Sequence, residues 1–431
     1  MKRLSTFRRG FASTFLLDVI ARGLSAVTTV VLLRALSVGD FAFVILLLNA
    51  AQFLTSAATG GLRLRYTRME AERVSRGLPG RSSFYLTIRG GAALVVMAGL
   101  LGFAGASVLG LGDSAGQRAA LALLGVGYTL GHASVELAVF HHQAQLAFTR
   151  GGRISIARSS VVLAVAVAAA FGALQSGPEV GVALMIGVGC LALVASGPLA
   201  WSTRRSVADK EGRFGFGRES GALTLYSLAS AGWTYGSIFL VAALLDDVGV
   251  AAFGAAQRYG SIITGPIPAL VSVLRVRTAQ EDFVDSDRAQ RDFMVSWARR
   301  SWLPVVAVVG VAAIAAPFAI PIVDGGKYPL SVPVFEVLLL GVVVKLINLP
   351  NVNLLITQKR YTLVAWVNAA ALAAMVGGTI AIAGPLGVVG ITGVATAIAF
   401  VQMSALTYFA LRPPVRHIPD GPPEERARCV L

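Results

Sequence analysis

The sequence predicts an all-α integral membrane protein with about twelve spanning helices arranged as two six-helix halves. Three observations lead there. Only 14% of the 431 residues are charged, against about a quarter in soluble domains, while 55% are hydrophobic. Apolar runs long enough to cross a bilayer recur along the whole chain. The basic residues gather in every second gap between those runs.

A spanning helix needs roughly 20 mainly apolar residues, because the hydrocarbon core is about 30 Å thick. Twelve runs qualify, at about 11–34, 41–62, 84–109, 118–140, 154–175, 181–201, 221–245, 251–275, 301–323, 332–356, 362–383 and 390–411. Prolines interrupt several (Pro266, Pro268, Pro304, Pro317, Pro321, Pro333, Pro350), and within a bundle they read as kinks, since neighbouring helices can satisfy freed carbonyls. The first run follows Lys2, Arg3, Arg8 and Arg9, as a secretory signal would. It is nevertheless long, carries Asp18 and Arg22, and lacks a convincing small-residue cleavage site, so it reads as an uncleaved first helix.

The gaps fix an orientation. The N-terminal tail, 63–83, 141–153, 202–220, 276–300, 357–361 and the C-terminal tail hold 28 Lys and Arg. The alternate gaps, 35–40, 110–117, 176–180, 246–250, 324–331 and 384–389, hold only Lys327 against six acids. The positive-inside rule then places both termini in the cytoplasm. The same placement explains the net charge of +15 as a topology signal and argues against nucleic-acid binding. The outer loops are too short for an extracytoplasmic catalytic domain. Among the inner ones, 276–300 carries Phe283, Phe293, Met294 and Trp297 between charges and reads as an interfacial helix.

The halves carry traces of duplication. Val38-Gly39-Asp40-Phe41-Ala42-Phe43 and Val248-Gly249-Val250-Ala251-Ala252-Phe253 share Val-Gly-x-x-Ala-Phe at an offset of 210. Gly177-Pro178 and Gly384-Pro385, and Arg153 and Arg360, repeat at 207. Six helices per repeat keep the halves in the same orientation, about an axis along the membrane normal. The expected division is a lobe over 1–201, a cytoplasmic linker 202–220, a second lobe over 221–411 and a cytoplasmic tail 412–431.

Charges inside the runs are the functional candidates. Arg34, Arg118 and Arg275 lie at helix ends, and Arg89 and Arg158 about a turn inside, where they can reach headgroups. Arg22, Arg258 and Lys345 are deeper. A charge at mid-membrane costs about 2.5–3.5 kcal/mol on insertion scales and faces protein or water, so these three point to a wet, positive cavity. Asp18, four residues before Arg22, could pair with it along one helix face. Arg258 has no acid at helical spacing, and Glu336 lies nine residues before Lys345. His132 and Glu136, four apart, suit either a buried pair or a proton relay. Trp233 and Tyr235, in mid-helix, read as core before sugar-stacking groups. Cys190 and Cys429 have no partner at metal-ligand spacing, and no nucleotide-binding, metalloprotease or serine-hydrolase motif occurs. No cofactor, metal or catalytic residue is expected.

The junctions Leu33-Arg34-Ala35-Leu36-Ser37-Val38-Gly39-Asp40-Phe41 and Val248 to Tyr259 resemble those after the first and seventh helices of polysaccharide flippases, in the multidrug/oligosaccharidyl-lipid/polysaccharide exporter superfamily. Asp324-Gly325-Gly326-Lys327-Tyr328-Pro329 and Gly384 to Gly390 resemble that family's outer turns. The resemblance implies two pseudo-symmetric lobes around a central cavity, working by alternating access in a bacterial cytoplasmic membrane. It implies a lipid-linked oligosaccharide as substrate, with membrane lipids, a glycan polymerase and glycosyltransferases as partners. Relatives that move undecaprenyl-diphosphate-linked sugars set arginines of the first, second and eighth helices into the cavity. Arg22 and Arg258 match two of these, whereas the second run has no arginine, only Asn49 and Gln52. The alternatives are a cation-coupled drug exporter of the same superfamily, which favours an unpaired buried carboxylate, and a glycan polymerase or ligase, which wants a long outer loop.

Overall fold

A computed structural model describes residues 2–75, 90–92, 95–96, 115–145, 147–206, 218–264, 287–358 and 360–412. Among these, helix is the only regular secondary structure. The helices are α1 (Lys2–Ala35), α2 (Val38–Ser75), α3 (Ala115–Ala144), α4 (Phe148–Ala170), α5 (Gly177–Ser206), α6 (Arg218–Leu244), α7 (Asp247–Thr264), α8 (Asp287–Asp324), α9 (Ser331–Ile347), α10 (Leu349–Thr357) and α11 (Tyr361–Leu411).

Among the described residues, eight segments are long and apolar enough to cross a membrane, and each coincides with one of the twelve expected runs. Of the other four, 84–109 lies almost wholly outside the described residues. The run at 11–34 is helical, but its helix starts far earlier, at Lys2, and carries charge. The run at 251–275 is described as far as Thr264. The run at 332–356 is broken: α9 ends at Asn348, whose side chain donates to the Val344 carbonyl at 3.0 Å, and α10 starts just before Pro350. Within α11 the last two expected runs remain two helices, which meet at a kink at Gly387, whose φ of 54° suits only a residue without a Cβ. The stretch 287–300 is not a separate interfacial helix but the first turns of α8. There Met294 is buried and the Trp297 indole donates to the Leu346 carbonyl at 3.4 Å; Phe283 lies outside the described residues.

The exposed faces are apolar. Leu303, Val311, Ile314, Phe318 and Ile322 stand 61–75% exposed along α8, as do Leu193 and Val194 at 74% on α5. Such stripes on hydrophobic helices suit lipid, where the interior is held by close packing and not by exclusion of water. Accordingly Gly131 lets α3 meet α5, where a Cβ would lie 3.2 Å from the Gly189 nitrogen. At Gly254 a Cβ would lie 2.5 Å from Ile45, so α7 seats directly on α2.

Four of the short turns expected on one side, 35–40, 176–180, 246–250 and 324–331, gather at one end of the bundle. Asp40 accepts the Ser37 hydroxyl at the start of α2 and, at 2.6 Å, the Gly177 N–H at the start of α5, fitting acceptors to helix donors that lack internal partners. Asp246 does the same for Gly249 in α7 at 2.9 Å. A Cβ on Gly39 would lie 3.5 Å from Asp247, so the two Val-Gly junctions are neighbours. A reciprocal clasp joins α1 to the far half of the chain. Arg34 donates to the carbonyls of Val323 (2.9 Å) and Ile322 (2.6 Å) in the last turn of α8, and the Lys327 ammonium donates to the Arg34 carbonyl at 2.8 Å. Beneath it the Phe41 and Tyr328 rings pack with centroids 5.6 Å apart.

Candidate functional site

Among the described residues, two adjoining interior cavities have volumes of about 290 and about 320 Å³. The smaller is cationic. Its arginines come from three helices: Arg22 of α1, Arg158 of α4 and Arg258 of α7. On α2, Phe41, Ile45, Leu48 and Gln52 reach it at three- and four-residue steps, one face of a helix. On α3, Tyr128, His132 and Glu136 repeat every four residues, and the first two line the cavity. Thr28 and Thr29 of α1 also line it, with their hydroxyls donated to the carbonyls of Leu24 and Ser25 at 2.8 and 3.0 Å.

The three guanidiniums differ in what balances them. Arg158 Nη1 stands 3.4 Å from both Glu136 Oε1 and His132 Nε2, and His132 Nδ1 stands 3.4 Å from the Thr55 hydroxyl. Arg158 is therefore partly neutralised. Arg258 has no ion pair or guanidinium hydrogen bond among the described residues, and its Nη2 is buried without a partner. A buried charged donor left unpaired costs several kcal/mol unless water or a ligand supplies an acceptor, so this is where an anion would gain most. Among the described residues, no Asp or Glu lines either cavity.

The larger cavity has aromatic and amide groups in its lining. Trp233 and Tyr235 of α6, Asn49 and Gln52 of α2, and Gln257 of α7 line it, with Lys345 of α9 supplying its own cation. Arg258, Gln52 and Ser261 belong to both cavities, so the two chambers adjoin across Arg258.

The structure thus brings Arg22 and Arg258 into one chamber and Arg258 and Lys345 into the other. His132 lines the cationic chamber. Glu136 is bound to Arg158, so the expected pair with His132 is a three-membered group bridged by an arginine. Glu336 is half-buried on α9 and lines neither cavity. The Asp18 side chain lies outside the described residues, so its pairing with Arg22 is not defined. Arg158, read from sequence as reaching headgroups, instead faces inward. The signal was the ladder Tyr128, His132, Glu136, a polar stripe on an apolar helix that calls for a partner cation. Trp233 and Tyr235 are cavity walls as well as packing groups. Among the described residues, no cluster of three or more His, Cys, Asp or Glu could hold a metal ion.

No protein-family model and no curated protein matches this sequence. Solved structures do. The lipid II flippase MurJ, in an inward closed conformation, superimposes with a TM-score of 0.67 at 10% identity, over 94% of this chain and 88% of that one. A MOP superfamily transporter from Pyrococcus furiosus, described as having a binding pocket of reversed polarity, matches with a TM-score of 0.61 at 13% identity over 93% and 94%. This is the MOP transporter fold. The Vibrio cholerae MATE transporter VcmN has it too, with a TM-score of 0.58 at 14% identity over 94% and 96%. Flippases and multidrug transporters share this MOP fold, so the shape leaves the substrate to the chemistry of the cavity.

Proposed function

We propose that the chain is a flippase that carries an anionic lipid-linked oligosaccharide, on an undecaprenyl-diphosphate carrier, across a bacterial cytoplasmic membrane for surface polysaccharide synthesis. One observation carries this reading: Arg258, whose guanidinium Nη2 is buried without a partner among the described residues, stands where a chamber lined by Arg22 and Arg158 meets a second, glycan-sized chamber. Planar guanidiniums match phosphate oxygens in fork geometry, and charge-assisted hydrogen bonds are about twice as strong as neutral ones. The lipid tail stays in the bilayer while the headgroup crosses through the cavity.

Twelve helices in two lobes, with both termini cytoplasmic, move by alternating access. The adjacency of the two Val-Gly junctions supports the pseudo-twofold, and the Arg34–Lys327 clasp supports a sealed outer end. A cation-coupled drug exporter would favour an unpaired carboxylate in the cavity wall; the described walls offer arginines instead. The test is delivery of lipid-linked sugar to the outer leaflet in cells carrying Arg22→Gln or Arg258→Gln at matched membrane levels. Losing one member of a desolvated charge pair costs about 2–5 kcal/mol, so delivery falls at least tenfold. Undiminished delivery in both variants removes these arginines from the mechanism.

A further inference from the structure

The chamber beyond Arg258 has its own chemistry. Its volume of about 320 Å³ is at the small end of ligand pockets, roughly 300–1,000 Å³, with room for a short saccharide. Trp233 and Tyr235 offer flat apolar faces, which suit the C–H face of a pyranose ring. Asn49, Gln52 and Gln257 offer amides for ring hydroxyls. Asn49 is already oriented, because its Nδ2 donates to the Ile45 carbonyl at 2.9 Å and leaves its oxygen as acceptor. The Trp233 indole N–H is buried without a partner among the described residues.

Lys345 decides the class of sugar. Its side chain is exposed, lines this chamber and not the arginine chamber, and makes no hydrogen bond or ion pair among the described residues. A neutral glycan gives such an ammonium no counterion. We propose that this chamber is the saccharide subsite of the flippase and that Lys345 recognises a carboxylate on a sugar close to the diphosphate, as in a uronic acid. The inference rests on the function proposed above: the diphosphate sits at Arg258, and the first sugars extend past it between Trp233 and Lys345.

The experiment uses the full chain in lipid nanodiscs and three probes: undecaprenyl diphosphate, the same lipid bearing N-acetylglucosamine, and the same lipid bearing N-acetylglucosamine–glucuronic acid. Affinity is read by titration. Trp233→Leu lowers affinity for both glycosylated probes on the order of tenfold and leaves the sugar-free lipid unchanged. Trp233→Phe, which keeps a flat face and guards against misfolding, restores part of the loss. Lys345→Gln lowers affinity for the uronate probe alone. Wild-type affinities for all three probes in Trp233→Leu and Lys345→Gln would overturn the subsite, as would a Lys345→Gln loss equal for all three probes, which would assign Lys345 to the diphosphate. Arg258→Gln separates the two levels: it weakens all three probes if the underlying function holds, and none if that function fails.

Discussion

Replacing Arg34 with alanine removes one half of the clasp between α1 and the α8–α9 turn. The lost contacts are two hydrogen bonds from a cation to carbonyls that end α8. Hydrogen bonds involving a charged group are worth about 1.5–3 kcal/mol, and a cation at a helix C-terminus adds about 0.3–1 kcal/mol. Because Arg34 is exposed, screening places the sum near the lower figure, about 1–2 kcal/mol. The ratio of closed to open molecules at this end then falls roughly 5- to 30-fold. Spin labels at Ala35 and Leu330, both exposed, report it, with Cys190 and Cys429 first replaced by serine because Cys190 is exposed and would take label. Distance distributions should gain a long component in Arg34→Ala, and a larger one when Lys327→Ala is added, since Lys327 caps the opposite helix end through the Arg34 and Leu36 carbonyls. Distributions identical to the wild type in the double variant would refute a clasp that holds the end shut.

Other consequences concern packing and charge. Gly131→Val forces a Cβ against the backbone of Gly189, so thermal unfolding in detergent should shift down by the equivalent of about 1–3 kcal/mol, while Gly125→Val, at a position open to 4 Å, should not. Glu136→Gln strips Arg158 of its carboxylate at 3.4 Å; both side chains are about a quarter exposed, so a loss of about 1 kcal/mol is expected, and Arg158→Gln in the same background should cost little more. Asp40→Asn weakens acceptors at the starts of two helices and should cost about 0.5–2 kcal/mol, read from the same unfolding curves.

Eight of the twelve expected spans were legible among the described residues because lipid imposes a length and a hydropathy that single residues cannot disguise. Local features were less so. The break at Asn348 is made by one residue's backbone, against runs of equal apolarity on either side. Arg22, Arg258 and Lys345 could be singled out from depth alone, since a deep charge must find water or protein. Arg158 could not, because its depth along α4 is shallow and only the bundle turns it towards Glu136 and His132. Gln52 is similar: sequence shows that the run 41–62 has no arginine, and the fold shows that an amide faces both chambers there. The outer clasp needed the fold entirely, since its partners lie 288 to 293 residues apart and all four of its acceptors are backbone carbonyls, of Ile322, Val323, Arg34 and Leu36, invisible to any motif.

The most direct test of the account is transbilayer movement of a fluorescent undecaprenyl-diphosphate oligosaccharide in proteoliposomes that contain only this protein, compared among wild type, Arg258→Lys and Arg258→Gln. The account predicts that the glutamine variant loses at least nine-tenths of the wild-type rate, roughly 1.4 kcal/mol or more, and that lysine, a point charge without the planar fork, falls between. Equal rates in all three preparations would contradict it.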